Sequence, residues 1–250
     1  MKRIIARLEI KSNNVVKGIK MEGLRKIGNP ELLAEKYFED GADELILSDI
    51  VASLYNRNHL YDLVSKICKK INIPIAVGGG IRSFDDALQL LKSGADKITI
   101  NTHAVTNRNL IKECAEKLGS QCVILEIHAK RKKSNFWEVF TENGRQPTHL
   151  NVLDWVEEAQ KLGVGEVFIV SVDNDGVCKG PDFELISKLE QVCKVPLIYA
   201  GGISQKKDVS EIFNFSGVDG IALSHLLHFN KDNIKNLKSF LKLNNIDIRI

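Results

Sequence analysis

Short apolar, β-branched runs alternate along the chain with longer stretches in which apolar residues recur at helical spacing. The runs fall at 4–10, 45–50, 75–78, 97–101, 122–128, 166–172, 197–200 and 220–224. Each reads as a buried strand followed by an amphipathic helix. Helix starts are marked locally. Asn29-Pro30 combines a capping side chain with proline at the first helical position. Ser83 precedes Phe84-Asp85-Asp86, which places acids at the positive end of the helix dipole. Thr106 and Ser204 predict similar starts. Eight β-then-α units predict an α/β protein whose parallel strands close into a (β/α)8 TIM barrel, one domain spanning residues 1–250.

The pattern also repeats. Gly78-Gly79-Gly80-Ile81 and Ala200-Gly201-Gly202-Ile203 lie 122 residues apart. The stretches 94–101 and 217–224 are 123 apart, as are Ser48 and Ser171. Offsets that agree to within one residue predict two duplicated half-barrels, with the third and fourth strands matching the seventh and eighth. A glycine turn at the C-terminal end of a barrel strand exposes backbone N–H groups at the mouth, and the next helix start adds positive dipole. Asn101-Thr102 and Ser224-His225 supply a second rim contribution in each half. Two such sites facing one mouth predict a small-molecule substrate with phosphate at both ends.

Composition narrows the classes. With 35 basic against 32 acidic residues the net charge is +3, which argues for neither nucleic acid nor membrane as a partner. No apolar run reaches the roughly 18 residues of a transmembrane helix, and charge interrupts the N-terminus too early for a signal peptide. The five cysteines are widely spaced and form no CxxC pair, so a reduced cytoplasmic protein without disulfides or zinc is expected. His59, His103, His149, His225 and His228 show no metal-ligand spacing, and no metal or other cofactor is expected. The basic run Lys130-Arg131-Lys132-Lys133 reads as a solvated loop, and Trp137 and Trp155 as packing residues.

From Lys2 to about Arg249 the chain resembles the cyclase subunit of imidazole glycerol phosphate synthase. The resemblance is carried by Lys2-Arg3-Ile4-Ile5-Ala6, Val15-Val16-Lys17-Gly18, Ala76-Val77-Gly78-Gly79-Gly80-Ile81, Gly94-Ala95-Asp96-Lys97, Ile100-Asn101-Thr102, Gly119-Ser120-Gln121, Ala129-Lys130-Arg131 and Asp173-Asn174-Asp175-Gly176. Together these separate it from the sister isomerase, which shares the doubled barrel. The resemblance implies a heterodimer with a glutaminase subunit. Ammonia made there would cross the barrel core and meet a bis-phosphorylated ribonucleotide, which is cleaved and cyclised to imidazole glycerol phosphate and an aminoimidazole carboxamide ribotide. It also implies sites. Gly80, Asn101 and Thr102 match one phosphate site, and Gly176, Gly201, Gly202, Ala222 and Ser224 the other. Lys17 matches a lysine of the first loop, and Asp49 and Asp175 match acids near the substrate. Arg3, Glu44, Lys97 and Glu166 match a ring of alternating charges that gates ammonia, and Asp96 an acid beside the glutaminase active site.

The catalytic pair departs from the pattern. Where the family has two aspartates as general acid and base, on its first and fifth strands, this chain has Glu9 and His128. The extra methylene of glutamate moves its carboxylate by more than ~1 Å, and misplacement on that scale can cost about a hundredfold in rate. Histidine is a competent acid/base but reverses the charge a carboxylate would supply. Three readings stay open: a cyclase with a Glu–His couple, a non-cyclising paralogue passing glutaminase ammonia elsewhere, such as to amidination of a surface sugar, or an allosteric scaffold for the glutaminase. Residues i and i+2 share a strand face, so Arg7 lies with Glu9 and Glu126 with His128. A salt bridge between Arg7 and Glu126 across the barrel interior is predicted, because either charge buried alone is costly.

Overall fold

A computed structural model describes residues 1–52, 60–215 and 217–249; His59 lies outside the described residues. Twelve strands follow one another: β1 (Arg3–Lys11), β2 (Asn14–Ile19), β3 (Glu22–Gly28), β4 (Glu44–Asp49), β5 (Ile75–Gly78), β6 (Lys97–Ile100), β7 (Val123–Lys133), β8 (Phe136–Thr141), β9 (Gln146–Asn151), β10 (Glu166–Ser171), β11 (Leu197–Ala200) and β12 (Gly220–Leu223). Eight of them, β1, β4–β7 and β10–β12, pair in parallel, and β10 bonds both β7 and β11, so the sheet closes into the expected (β/α)8 barrel. The described helices are α1 (Pro30–Glu39), α2 (Tyr61–Cys68), α3 (Phe84–Lys92), α4 (Thr102–Thr106), α5 (Arg108–Leu118), α6 (Val152–Lys161), α7 (Phe183–Val192), α8 (Lys206–Phe213), α9 (His225–His228) and α10 (Ile234–Leu243). None is long and apolar enough to cross a membrane.

The local signals act as read at two of the four helix starts. Asn29 accepts from the N–H of Leu32 ahead of Pro30, and Ser83 and Asp86 form a reciprocal capping box. The other two shift. Thr106 ends α4, and its hydroxyl turns back to the carbonyl of His103. Ser204 falls one residue early, because the Asp208 carboxylate collects the N–H groups of both Ser204 and Gln205 and makes Gln205 the cap.

Two hairpins were not expected. β2–β3 pairs back onto β1, and β8–β9 onto β7. Both extend barrel strands beyond their C-terminal ends, on the side of the glycine turns. β3 is mostly exposed, so it carries no apolar alternation to betray it. The basic run after the fifth strand is correspondingly not a free loop: β7 continues through Lys133, and Arg131 bonds Asp182 at 2.7 Å and stacks on Trp137. Trp137 and Trp155 are buried, as expected of packing residues.

The core has two parts. The outer strand faces pack against the helices. Inside the barrel, Ile5, Ile46, Ala76, Ile124, Phe168, Ile198 and Ala222 form a separate apolar plug. Charged side chains lie in the barrel on either side of it.

Candidate active site

The two glycine turns have the same construction. Gly79 has φ +96°, and a Cβ there would come within 2.2 Å of the Asp49 carbonyl oxygen. Gly201 has φ +112°, and its Cβ would come within 2.6 Å of the Ser171 carbonyl oxygen. A side chain is therefore excluded at both, by backbone conformation and by space. The helix after each turn is fixed by an acid in its first turn, Asp86 taking the N–H groups of Arg82 and Ser83 as Asp208 does those of Ser204 and Gln205.

Each turn opens into a pocket at the mouth. The first is lined by Asp49, Gly79, Gly80, Asn101, Thr102 and His128, with others named below. The second is lined by Asp175, Gly176, Gly201, Gly202, Ala222 and Ser224. His103 and His225 border the first and second pockets respectively.

Beneath the pockets lies a continuous buried network. Lys17 donates to Glu9 at 2.7 Å and to both Asp175 oxygens at 2.7 and 2.9 Å. Arg7 pairs with Glu9 at 3.4 Å and with Glu126 at 3.2 Å, the predicted cross-barrel bridge. Glu126 also meets His128 Nε2 at 3.1 Å and accepts from the Thr99 hydroxyl at 3.2 Å. The Arg7 guanidinium lies 5.3 Å from the Phe168 ring centre, against the apolar plug. Glu9 and His128 are thus joined through Arg7 and Glu126, but only His128 lines a pocket.

Environment separates their chemistry. Burial pushes the Glu9 carboxyl up, but the Lys17 ammonium and Arg7 guanidinium outweigh it and hold it at about 2. Glu126 is likewise held below the ordinary carboxylate value, its burial outweighed by the His128 hydrogen bond and by Arg7. Both are carboxylates at neutral pH. Beside them, His228 is buried with Nδ1 2.7 Å from the Tyr37 hydroxyl, and burial lowers it to about 4.

At the opposite end, Arg3, Glu44, Lys97 and Glu166 close into a ring. Arg3 bonds Glu44 at 2.9 Å and also Glu166; Lys97 bonds Glu44 at 3.1 Å and Glu166 at 3.0 Å. Asp96 is exposed beside it, and its carboxylate accepts from the N–H of Ile75 at 2.8 Å. Asp43 and Asp219 make the same bond to Ile4 and Leu197. That bond is therefore a repeated fastening of strand starts.

A family model for histidine biosynthesis proteins matches residues 3–233. The chain belongs to this family. It is 48% identical over 206 residues to the imidazole glycerol phosphate synthase subunit HisF of Legionella pneumophila, covering 82% of this chain and 97% of that protein. It is 41% identical over 263 residues to the same-named subunit of Nitrosopumilus maritimus, covering 100% and 99%. The identity to that of Streptococcus mutans is 39% over 248 residues, covering 99% of each.

Three polar residues that line the first pocket were not put forward from sequence as site residues. Ser48 and Thr99 were weighed only as members of repeats. Asn143 stands at φ +57° in the β8–β9 turn and lines the first pocket. Asn143-Gly144 is a hairpin-turn signature that would have revealed both the turn and the missing hairpin.

Proposed function

We propose that this chain is the cyclase subunit of an imidazole glycerol phosphate synthase, working with a glutaminase partner in a heterodimer. The observation that carries the reading is the pair of glycine-turn pockets, built alike on opposite halves of one mouth, with a buried acid/base layer beneath them. A bis-phosphorylated ribonucleotide would place one phosphate on Gly80, Asn101 and Thr102 and the other on Gly176, Gly201, Gly202, Ala222 and Ser224. Asp49 borders the first site. The ring of Arg3, Glu44, Lys97 and Glu166, with Asp96 beside it, would face the glutaminase and meter ammonia.

In this reading proton transfer falls mainly to His128. It lines the first pocket, and the Glu126 carboxylate fixes its Nε2, which orients the ring as a second carboxylate orients histidine in other acid/base sites. Glu9, held ionised by Lys17 and Arg7, cannot donate a proton at neutral pH. It serves by stabilising positive charge and by keeping Lys17 charged toward Asp175 and the second pocket. The chemistry would be lyase-type carbon–nitrogen cleavage coupled to ring closure, in the cytoplasm, without a metal or cofactor.

The test is direct. Purified chain, the bis-phosphorylated ribonucleotide and an ammonium salt should give imidazole glycerol phosphate, and His128→Asn should lower the rate by about 10²–10⁴-fold. Absence of product from the wild type, with glutamine hydrolysis by an added glutaminase still stimulated, would overturn cyclisation and make the barrel a conduit or scaffold.

A further inference from the structure

Charge is spread unevenly over the molecule. The segments that form the two hairpins, 12–28 and 130–151, hold nine of the chain's 35 basic residues and three of its 32 acids. They carry a net +6 where the whole chain carries +3, so everything else together is net −3. Both hairpins stand on the side of the glycine turns. Among the described residues, only Lys17, Arg131 and Lys132 of these nine cations are in ion pairs. Lys20, Arg25, Lys26, Lys133 and Arg145 are exposed, and Lys130 is half-buried.

These cations stand beside the pockets. Lys130 continues the alternate face of β7 that carries Glu126 and His128. Its ammonium and that of Lys132 lie 5.1 and 5.6 Å from the Phe140 ring centre, and the Phe140 carbonyl accepts from Asn101 of the first pocket at 3.5 Å. On the other hairpin, the Lys20 N–H bonds the carbonyl of Asp175, at the second pocket, at 2.7 Å. Ala129 is the last residue of β7 to pair with the barrel strand β10. The four cations beyond it therefore rise about 13 Å above the rim, close to the screening length of about 10 Å at 0.1 M salt. The layer beneath the pockets cannot attract an anion from a distance. There Arg7 and Lys17 meet three carboxylates, Glu9, Glu126 and Asp175, a net −1 that the hairpins outweigh.

We propose that the two hairpins are an electrostatic collector, which draws a small, multiply anionic ligand from solution to the mouth and sets its rate of arrival, not its residence. This rests on the reading that the glycine turns take phosphate. Charge of one sign around a concave mouth raises association rates by about 10–10³-fold, and salt removes the gain. Arg25, Lys26, Lys133 and Arg145 line neither pocket, so they act on the approaching ligand through the field alone. The effect grows with ligand charge, which makes a ligand with two phosphates the class served best.

The probe is the bis-phosphorylated ribonucleotide, titrated without ammonia at about 10 and about 300 mM sodium chloride. NMR line shapes at the Gly80 and Gly202 backbone N–H groups give the association and dissociation rates. One variant combines Arg25→Gln, Lys26→Gln, Lys133→Gln and Arg145→Gln. A second combines Lys69→Gln, Lys92→Gln, Lys161→Gln and Lys242→Gln, which removes the same charge from exposed positions at helix C-terminal ends, away from the mouth. Association to the wild type should slow about 10-fold between the two salts. The hairpin variant should associate about 5–10-fold more slowly at low salt, with a flatter salt dependence and dissociation within about two-fold. The helix-end variant should stay within about two-fold of the wild type in both rates. Association independent of salt, an equal loss in the helix-end variant, or a loss carried by faster dissociation each overturn the collector. In all three the ligand still binds, and the phosphate reading stands. Salt-dependent capture through the hairpins with no product on adding ammonium removes the cyclase reading and keeps this one. No response at either glycine overturns both.

Discussion

The two ends of the barrel both carry buried charge, and they are organised differently. At the strand starts, Arg3 and Lys97 alternate with Glu44 and Glu166, two against two, and every acid touches both cations. The cationic side chains remain 25% and 21% exposed. At the strand ends, Arg7 and Lys17 are 1% exposed and face three carboxylates, and unpaired polar atoms remain on Arg7 and His128. A balanced ring in contact with water is complete without a ligand. An unbalanced layer with unpaired polar atoms against a pocket still has hydrogen-bonding capacity to offer. Buried ion pairs by themselves are weak signs of stability, because desolvation offsets their attraction. The difference in balance and satisfaction is what supports the proposal that the upper layer is the working end.

The comparison is broken or sharpened first at Lys17. Lys17→Met leaves Glu9 and Asp175 buried without their shared cation and should cost about 3–5 kcal/mol in urea unfolding. A loss below ~1 kcal/mol would mean the upper layer is as well hydrated as the ring. Acid comes next. His228 is held at about 4 against a reference of 6.5, so the unfolded chain binds the proton first. Stability is full above about pH 6.5 and falls as pH drops to about 4, by up to ~3 kcal/mol. Glu9, lowered from 4.5 to about 2, adds a separate loss over that lower window. His228→Gln should remove the upper window from a pH series of urea midpoints and keep the lower one.

A smaller effect tests the cross-barrel bridge. In a double-mutant cycle, Arg7→Met and Glu126→Gln should show a coupling of about 1–3 kcal/mol. Additive losses would mean the two charges act separately. The smallest change is expected at the ring. Glu44 is buried, but Glu44→Gln keeps a hydrogen-bonding oxygen for Arg3 and Lys97 and leaves both with Glu166, so it should cost only about 1–2 kcal/mol, read from thermal unfolding with and without added salt. A cost equal to that of Lys17→Met would erase the contrast between the ends.

Much of the barrel was legible because its signals are local. Strands 75–78 and 197–200 and the caps at Asn29 and Ser83 follow from period, proline and short-range hydrogen bonds. The duplicated glycines pointed to the mouth because backbone at φ +96° and +112° against a neighbouring carbonyl admits no side chain. The hairpins were missed because β3 is mostly exposed and β8 follows a charged run, leaving no alternation to read.

The pairings across the barrel are of another kind. The i, i+2 rule alone put Arg7 beside Glu9 and Glu126 beside His128, and burial cost alone argued that Arg7 and Glu126 should meet. That Lys17 bridges Glu9 to Asp175, 158 residues away in sequence, depends on how the first hairpin folds over the mouth. That Ser48 and Asn143 share a pocket with His128 depends on the stagger of strands around a closed sheet. Sequence by itself determined which residues could face inward, because side-chain direction along a strand is a local property. Only the tertiary structure decided which of them meet, because closure and register are set by the sum of all the strand pairings at once.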